Sequence, residues 1–233
     1  MVEIISMPLQ KRISIITGNL GSGKTEIAIN LALSMAHQGK KTYLVDLDII
    51  NPYFRTRLVR DKLEEMGLNV LTPIGDLSFA DLPALSPAIK GVIENRQHTG
   101  IFDVGGDDVG AVALGRYRDL LAHEDFSMIF VANTCRPFTG DTEGIIKYLS
   151  SIEKASGLKA GGLVCNTNLG METSPETVLE GYRTVSSVAE QTGIPVLFTV
   201  VKRDIYSNVK ELFGDKSLIF PIDTYMEPPW KRK

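Results

Sequence analysis

The sequence is poor in cysteine and contains no long apolar run, and each scarcity excludes a class of protein. Cys135 and Cys165 are the only cysteines among 233 residues. They are too few for a disulfide scaffold and, within one chain, for a zinc or iron–sulfur centre. No apolar stretch approaches the roughly 20 residues of a membrane span, and the chain does not begin with a signal peptide. We therefore expect a cytoplasmic protein that does not engage a membrane.

A strong charge of one sign is also missing. The 25 basic and 28 acidic residues leave a formal net charge of −3, which favours neither nucleic-acid binding nor disorder. Hydrophobic residues make up 43% of the chain, enough for one sizeable core. Linkers, repeats and low-complexity segments are absent from the sequence, so residues 1–233 are predicted to form a single domain.

Short apolar runs alternate with helical periods along the chain. Strands are predicted at 12–17, 41–48, 68–71, 100–104, 126–133, 160–166, 195–201 and 217–222. Helices are predicted at 24–38, 56–67, 86–97, 111–123, 140–156 and 174–192. This rhythm of uniformly apolar strands and helices predicts an α/β fold of three layers, in which helices cover both faces of a doubly wound, mostly parallel sheet. Ligands of such sheets bind beyond the carboxyl ends of the strands.

The first strand-to-helix junction carries a phosphate-binding motif. The stretch "GNLGSGKT" (18–25) matches G-x-x-x-x-G-K-[ST] between a predicted strand and a predicted helix. Its glycines let backbone N–H groups turn toward a polyphosphate, and the helix N-terminus adds a partial positive charge. A lysine and a threonine at these positions reach the β- and γ-phosphates and Mg²⁺. The residues assigned to nucleotide binding here are Gly18, Asn19, Gly21, Ser22, Gly23, Lys24, Thr25 and Glu26.

Aspartates end two of the predicted strands. Asp103 ends "GIFDV", and Asp46 and Asp48 end "LVDLD". A Mg²⁺–triphosphate site needs an acidic residue on a neighbouring strand, and Asp103 fits that role through a bound water. Carboxylates beside a triphosphate are unfavourable unless they hold metal or polarise water, so one role predicted for the pair Asp46 and Asp48 is to orient the attacking water. The alternative role for Asp48 is a cap of the following loop.

Three segments together resemble the MinD/ParA/nitrogenase-iron-protein class of P-loop ATPases, also called SIMIBI. They are "GNLGSGKT", "LVDLDIINPY", which is similar to the first switch of the class, and "FDVGGDDVGA", which is similar to the second. The resemblance extends from about residue 12 to 201. It implies a switch that binds ATP or ADP with Mg²⁺, hydrolyses ATP slowly and acts on a protein partner of unknown identity.

The resemblance also implies roles for individual residues. Lys24 and Asp48 become the catalytic pair, with Asp48 positioning the water. Thr25, Asp46, Asp48 and Asp103 form the surroundings of the metal. Gly106 senses the γ-phosphate through its backbone N–H, and Asp107 lies on the segment that moves.

A second set of implied roles concerns the base. The stretch "LVCNTNL" (163–169) resembles the adenine-contacting strand end of the class, so Asn166 or Asn168 would bond the base. An asparagine amide both donates and accepts, as an adenine edge requires. The alternative is that either asparagine satisfies a turn. Residues 220–226 would close over the base.

Two positions depart from the class. Its members usually carry a lysine directly after the first P-loop glycine, which reaches across an ATP-bridged dimer, whereas this chain has Asn19. Whether the chain forms a homodimer is therefore left undecided by the sequence. Basal hydrolysis is predicted to be slow unless the missing charge is supplied by Arg55, Arg57, Arg136 or a partner's arginine. Gly110 stands where the nitrogenase iron proteins have a cluster-ligating cysteine, which argues against an iron–sulfur cluster.

Three other functions fit the same motif. The first is a small-molecule kinase or ATP-dependent ligase, with residues 50–60 or 76–84 as the acceptor site and Asp48 as the base. The second is a GTPase metallochaperone, although guanine sites usually carry N-K-x-D where this chain has "NTNL", and no cysteine–histidine metal pair is present. The third is a nucleotide-binding module without turnover.

Overall fold

The computed structural model describes residues 9, 11–48, 59–72, 86–106 and 108–226. Within them the strands are β1 (Ile13–Gly18), β2 (Lys41–Leu47), β3 (Asn69–Leu71), β4 (His98–Val104), β5 (Phe126–Ala132), β6 (Ala160–Cys165), β7 (Val196–Lys202) and β8 (Ile219–Ile222). The helices are α1 (Lys24–His37), α2 (Arg60–Glu65), α3 (Pro87–Glu94), α4 (Asp108–Gly115), α5 (Arg118–Leu121), α6 (Thr142–Ser156), α7 (Pro175–Thr192) and α8 (Tyr206–Phe213).

The strands form a single parallel sheet in the order β3-β2-β4-β1-β5-β6-β7-β8. Successive side chains of a strand point to opposite faces, so Ile15 and Ile16 of β1 enter two different cores. Helices α1 and α2 cover one face, and α3 to α7 cover the other. This arrangement confirms the predicted three-layer α/β fold with a doubly wound sheet. None of the described helices is both long and apolar enough to cross a membrane.

The position of β1 in the strand order determines where a ligand site is expected. It lies between β4 and β5, and the chain winds outward from it in both directions. Such a reversal of strand order opens a crevice at the carboxyl ends of the strands, where ligands bind. The register of β2 on β4 also sets Asp46 directly beside Asp103.

The structure differs from the predicted elements in two places. The predicted helix at 111–123 is two helices, α4 and α5; Gly115, the last residue of α4, packs against the end of α6, where an added Cβ would lie 3.0 Å from the carbonyl oxygen of Ser156. Helix α8 was not predicted, since it is only 8 residues long and buries two side chains, Val209 and Phe213. Several segments given roles from the sequence lie outside the described residues: Arg55, Arg57, Asp107, most of 50–60, and 76–84.

Candidate functional site

The P-loop between β1 and α1 has a backbone that only glycine adopts without strain. The φ angles of Gly18, Gly21 and Gly23 are +142°, +74° and +90°. A Cβ on Gly18 would lie 2.3 Å from the carbonyl oxygen of Val131, and one on Gly23 would lie 2.2 Å from Nδ2 of Asn166. The loop is therefore pressed against the strands beside it and forms a cradle of backbone N–H groups at the start of α1.

The lysine of the motif lies inside this cradle. Lys24 is 6% exposed, and its ammonium donates to the carbonyl oxygen of Asn19 at 3.0 Å. Gly106 packs closely against this part of the P-loop. A Cβ on Gly106 would lie 2.7 Å from Nζ of Lys24 and 2.6 Å from the backbone nitrogen of Leu20. The hydroxyl of Tyr148 on α6 donates to the carbonyl oxygen of Gly106. The second-switch segment thus touches the P-loop; its contact with a γ-phosphate stays a prediction.

The predicted metal ligands also meet. The hydroxyl of Thr25 donates to Oδ2 of Asp103 at 2.7 Å. Oδ1 of Asp103 is buried and has no hydrogen-bond partner in the described part of the chain. Burial, with the neighbouring charge of Asp46, raises the pKa of Asp103 to about 8. Oδ1 of Asp46 accepts a hydrogen bond from the backbone N–H of Asp48 at 2.9 Å.

These residues fit Mg²⁺ bound together with a nucleotide. An unpartnered buried carboxylate oxygen beside a hydroxyl is a hard oxygen donor set, and a bound cation would relieve its repulsion from Asp46. Among the described residues, His, Cys, Asp and Glu form no group of three or more that could hold a metal by itself. Mg²⁺ at Thr25 and Asp103 would therefore need phosphate oxygens and water to complete its shell.

A cavity of about 440 Å³ extends from the P-loop across the ends of β6, β7 and β8. A volume of this size accommodates a small-molecule ligand. Two carboxylates, Glu26 and Asp48, line it at the P-loop side, and the opposite side is lined by Lys202 and by neutral residues. Those neutral residues are Asn166, Thr167, Asn168, Thr173, Val178, Val200, Val201, Ile205, Ile222, Thr224 and Met226.

The two asparagines predicted to contact a base already hold parts of the protein. Nδ2 of Asn166 donates to the carbonyl oxygen of Ser22 at 2.7 Å. Nδ2 of Asn168 donates to the carbonyl oxygen of Asn166 at 2.8 Å, and its backbone N–H donates to Oδ1 of Asn133 at 3.2 Å. Both side chains line the cavity while bracing the loops around it. Base recognition by either one stays a prediction.

Glu26 and Asn30 of α1 fasten a distant segment to the site. The Glu26 carboxylate accepts backbone hydrogen bonds from Tyr225 at 2.9 Å and Met226 at 2.7 Å. Burial raises the pKa of Glu26, and these two N–H donors oppose the rise. Asn30 exchanges two backbone hydrogen bonds with Asp223, at 2.8 and 2.9 Å.

Residues 223–226 thereby form one wall of the cavity. The sequence carried no signal for Asn30 or Tyr148, because both act on backbone groups far away in the chain. Closure of this wall over a base stays a prediction.

The fold and this site define the class of protein. A P-loop between the first strand and helix of a parallel sheet, with an aspartate of the adjacent strand bonded to its threonine, is a nucleotide-binding arrangement. The chain belongs to the CobQ/CobB/MinD/ParA nucleotide binding domain family (CbiA), whose family model matches residues 13–212. No curated protein sequence matches the chain significantly.

Solved structures share the fold. The cell division protein FtsY from Thermotoga maritima has a TM-score of 0.56 at 19% identity, and the match covers 81% of this chain and 61% of that one. Chloroplast FtsY from Physcomitrella patens has a TM-score of 0.56 at 17% identity, covering 85% and 63%. FlhF, complexed with GTP and Mg²⁺, has a TM-score of 0.53 at 16% identity, covering 84% and 67%. These neighbours show that the fold occurs in proteins with little sequence identity to this chain.

Proposed function

We propose that this chain is an ATP-binding switch that requires Mg²⁺, hydrolyses ATP slowly and acts on a protein partner. The observation that carries the proposal is the hydrogen bond of 2.7 Å between Thr25 and Asp103, formed within a P-loop against which Gly106 also packs. The pair that we propose to bind metal and the segment that resembles a switch thus both lie against the P-loop. A nucleotide-binding fold without turnover would not need the second of these features.

Each residue then has a role that follows from its position. The N–H groups of the P-loop and the ammonium of Lys24 bind the phosphates. Thr25 and Asp103 would hold Mg²⁺, which neutralises charge on the phosphate oxygens. Asp48 is 8% exposed, lines the cavity and orients the attacking water by accepting a hydrogen bond from it.

The polar groups of the cavity favour adenine over guanine. Guanine recognition generally uses a carboxylate that accepts two hydrogen bonds from the base, whereas an asparagine amide suits adenine. The carboxylates among the cavity residues, Glu26 and Asp48, belong to the P-loop side, and Glu26 already accepts backbone N–H groups. The groups after β6 are neutral amides and hydroxyls. We therefore assign ATP as the preferred nucleotide.

Exposed apolar side chains near the cavity support a protein partner. Leu20 of the P-loop is 65% exposed, Phe138 after β5 is 79% exposed, and Met171 after β6 is 88% exposed. All three lie in segments that follow the carboxyl ends of strands, namely β1, β5 and β6. Phe138 also has a φ of +68°, a conformation that is costly for an aromatic residue. Large exposed apolar side chains at a functional edge are typical of partner-binding surfaces.

The test compares binding and turnover of ATP and GTP. Wild type is expected to bind Mg²⁺–ATP more tightly than Mg²⁺–GTP and to hydrolyse it slowly. Lys24→Ala is expected to abolish binding, because the phosphate charge loses its buried cation. Asp48→Ala is expected to bind ATP normally and lose turnover. Equal background turnover in wild type and Asp48→Ala would show a binding module.

A second set of measurements distinguishes an ATP-dependent switch from a GTPase and from a small-molecule kinase with the same P-loop fold. Tighter binding of GTP than of ATP would contradict the assignment of adenine. A small metabolite that stimulates ATP consumption and becomes phosphorylated would contradict the switch and support a kinase. Proteins captured by the chain with AMP-PNP but not with ADP would identify the partner, and a second copy of the chain is one such result.

A further inference from the structure

The loop that follows β5 brings a cation to the P-loop. Nε of Arg136 donates a hydrogen bond to the carbonyl oxygen of Gly21 at 3.0 Å, and Arg136 lines the cavity. Within the described part of the chain, its two terminal guanidinium nitrogens have no hydrogen-bond or ion-pair partner. A guanidinium anchored through Nε still presents coplanar donors, a geometry that matches phosphate oxygens.

The loop is held in place at several points. The hydroxyl of Thr139 donates to the carbonyl oxygen of Asn133 at 2.8 Å, and the backbone N–H of Arg136 donates to the same oxygen at 3.2 Å. The side-chain amide of Asn19 donates to the carbonyl oxygen of Pro137 at 2.6 Å. These contacts fix the backbone that carries Arg136, so its guanidinium is positioned before any ligand arrives.

Asn19 connects the loop after β5 to the P-loop position at which this chain differs from the class that it resembles. Asn19 stands where the resembling ATPases have a lysine that reaches across a dimer. Here the residue is 5% exposed, and its amide is bonded within its own chain to the residue next to Arg136. Asn19, which replaces the lysine of the class, therefore holds in place the loop that carries Arg136.

We propose that Arg136 contacts the phosphates of the bound nucleotide from within its own chain and offsets the charge that develops during hydrolysis. This inference rests on the proposed function. In that reaction the water oxygen bonds to the γ-phosphorus while the bond from this phosphorus to the β–γ bridging oxygen breaks. The electron pair of that bond stays on ADP, one proton of the water remains on the inorganic phosphate, and the other is released to solvent. A cation beside such a centre contributes roughly 10³–10⁵ in rate in related enzymes.

The experiment compares Arg136→Gln, Arg136→Lys and a control, Arg96→Gln. Arg96 is 82% exposed and lies 4.0 Å from its nearest carboxylate, so its loss is expected to change nothing. The measurements are the Kd of Mg²⁺–AMP-PNP, the kcat with ATP, and the melting temperature. Arg136→Gln is expected to weaken AMP-PNP binding at least about tenfold, since hydrogen bonds to charged groups are strong. It is expected to lower kcat at least about a hundredfold.

Arg136→Lys distinguishes an effect of the positive charge from an effect of the hydrogen bond that Arg136 donates to Gly21. Lysine keeps the charge without the fork, so it is expected to retain more affinity and rate than glutamine. If both variants lose affinity equally and both melt earlier, Arg136 only braces Gly21 and the proposal is overturned. It is also overturned if Arg136→Gln binds within about twofold of wild type or turns over at the wild-type rate.

The result for wild type distinguishes failure of this inference from failure of the proposed function. If wild type binds no nucleotide, the proposed function fails and the inference falls with it. If wild type binds AMP-PNP but hydrolyses nothing, the hydrolytic part of both fails, and the variant affinities alone decide the phosphate contact. If wild type hydrolyses ATP and the Arg136 variants behave like it, only the inference fails.

Discussion

At the scale of single residues, the site keeps polar groups where a stable core would not. Asp103 is 2% exposed, carries a carboxylate oxygen without a partner in the described structure, and lies beside Asp46. Such a group is unfavourable by itself and is relieved by a cation. The residue is therefore placed for a ligand rather than for packing.

The replacement Asp103→Asn tests that reading of the site. The amide keeps the shape and the contact with Thr25, so the melting temperature of the unliganded protein is expected to stay near that of wild type. It removes the charge that would hold Mg²⁺, so the gain in ATP affinity on adding Mg²⁺ is expected to fall by about 10–100-fold. Calorimetric titrations with Mg²⁺ and with EDTA measure this gain. Asp125→Asn, at an exposed ion pair with Lys11, is the control, and an undiminished gain in Asp103→Asn would contradict the metal role.

At the scale of elements, two helices each contain a glycine, and the surroundings of these two glycines differ strongly. Gly181 of α7 is buried, and a Cβ there would lie 2.0 Å from the hydroxyl oxygen of Thr167. Gly91 of α3 is exposed, and an added Cβ would meet nothing within 4 Å. Helix α7 thus needs its glycine to approach the loop after β6, whereas α3 does not.

Replacing each of these two glycines by alanine is expected to change the free energy of unfolding in opposite directions. Gly181→Ala overpacks the contact with Thr167 and is expected to lower the free energy of unfolding by about 1–3 kcal/mol. Gly91→Ala restricts the unfolded chain and is expected to raise it by about 0.4–1 kcal/mol. Urea denaturation of both variants measures the difference. Equal effects of one sign would show that helix propensity alone governs these positions.

A second prediction concerns the attachment of residues 223–226 to α1. Asn30→Ala removes two partly buried hydrogen bonds to the backbone of Asp223 and is expected to destabilise the protein by about 1–3 kcal/mol. Arg203→Ala removes an ion pair to the side chain of the same residue, but both side chains are about half exposed, so it is expected to change stability by less than about 1 kcal/mol.

Hydrogen exchange provides the local readout for this pair. The amide of Asp223, which donates to Oδ1 of Asn30 at 2.9 Å, is expected to lose protection in Asn30→Ala and keep it in Arg203→Ala. Similar protection in both variants would contradict the role of Asn30.

At the scale of the whole molecule, the cavity joins elements from both halves of the sheet. The P-loop, the ends of β6 and β7 and the segment after β8 all line it. A ligand bound there stabilises the folded state as a unit, because it binds the native arrangement and not the unfolded chain.

Nucleotide is therefore expected to raise the melting temperature in a dose-dependent way. At a concentration of 100 times Kd, Mg²⁺–ATP is expected to add about 2.7 kcal/mol. For a chain of this size that corresponds to a rise of about 5–10 °C. Lys24→Ala is expected to show no rise. A rise of the same size in that variant would place the ligand outside the P-loop.

Local patterns in the sequence were sufficient for most of the fold and the centre of the site. Strands and helices follow from apolar periodicity, and the P-loop follows from the spacing of Gly18, Gly23, Lys24 and Thr25. The pairing of Thr25 with Asp103 was also predictable, because phosphate chemistry requires an acidic strand end nearby. Helix α8 was missed because two buried side chains make too weak a periodic signal.

The sequence by itself determined that this chain is a parallel α/β protein with a nucleotide cradle, since these features reside in short contiguous patterns. Only the tertiary structure decided what surrounds the cradle. Asn19 with Pro137, Glu26 with residues 225–226, and Asn30 with Asp223 are contacts across more than a hundred residues of chain. They depend on the order of the strands and on which loops meet at the carboxyl edge. Backbone carbonyl and N–H groups are the partners in these contacts, and nearly every residue has them, since only proline lacks the N–H; no local pattern therefore marks which ones will be used.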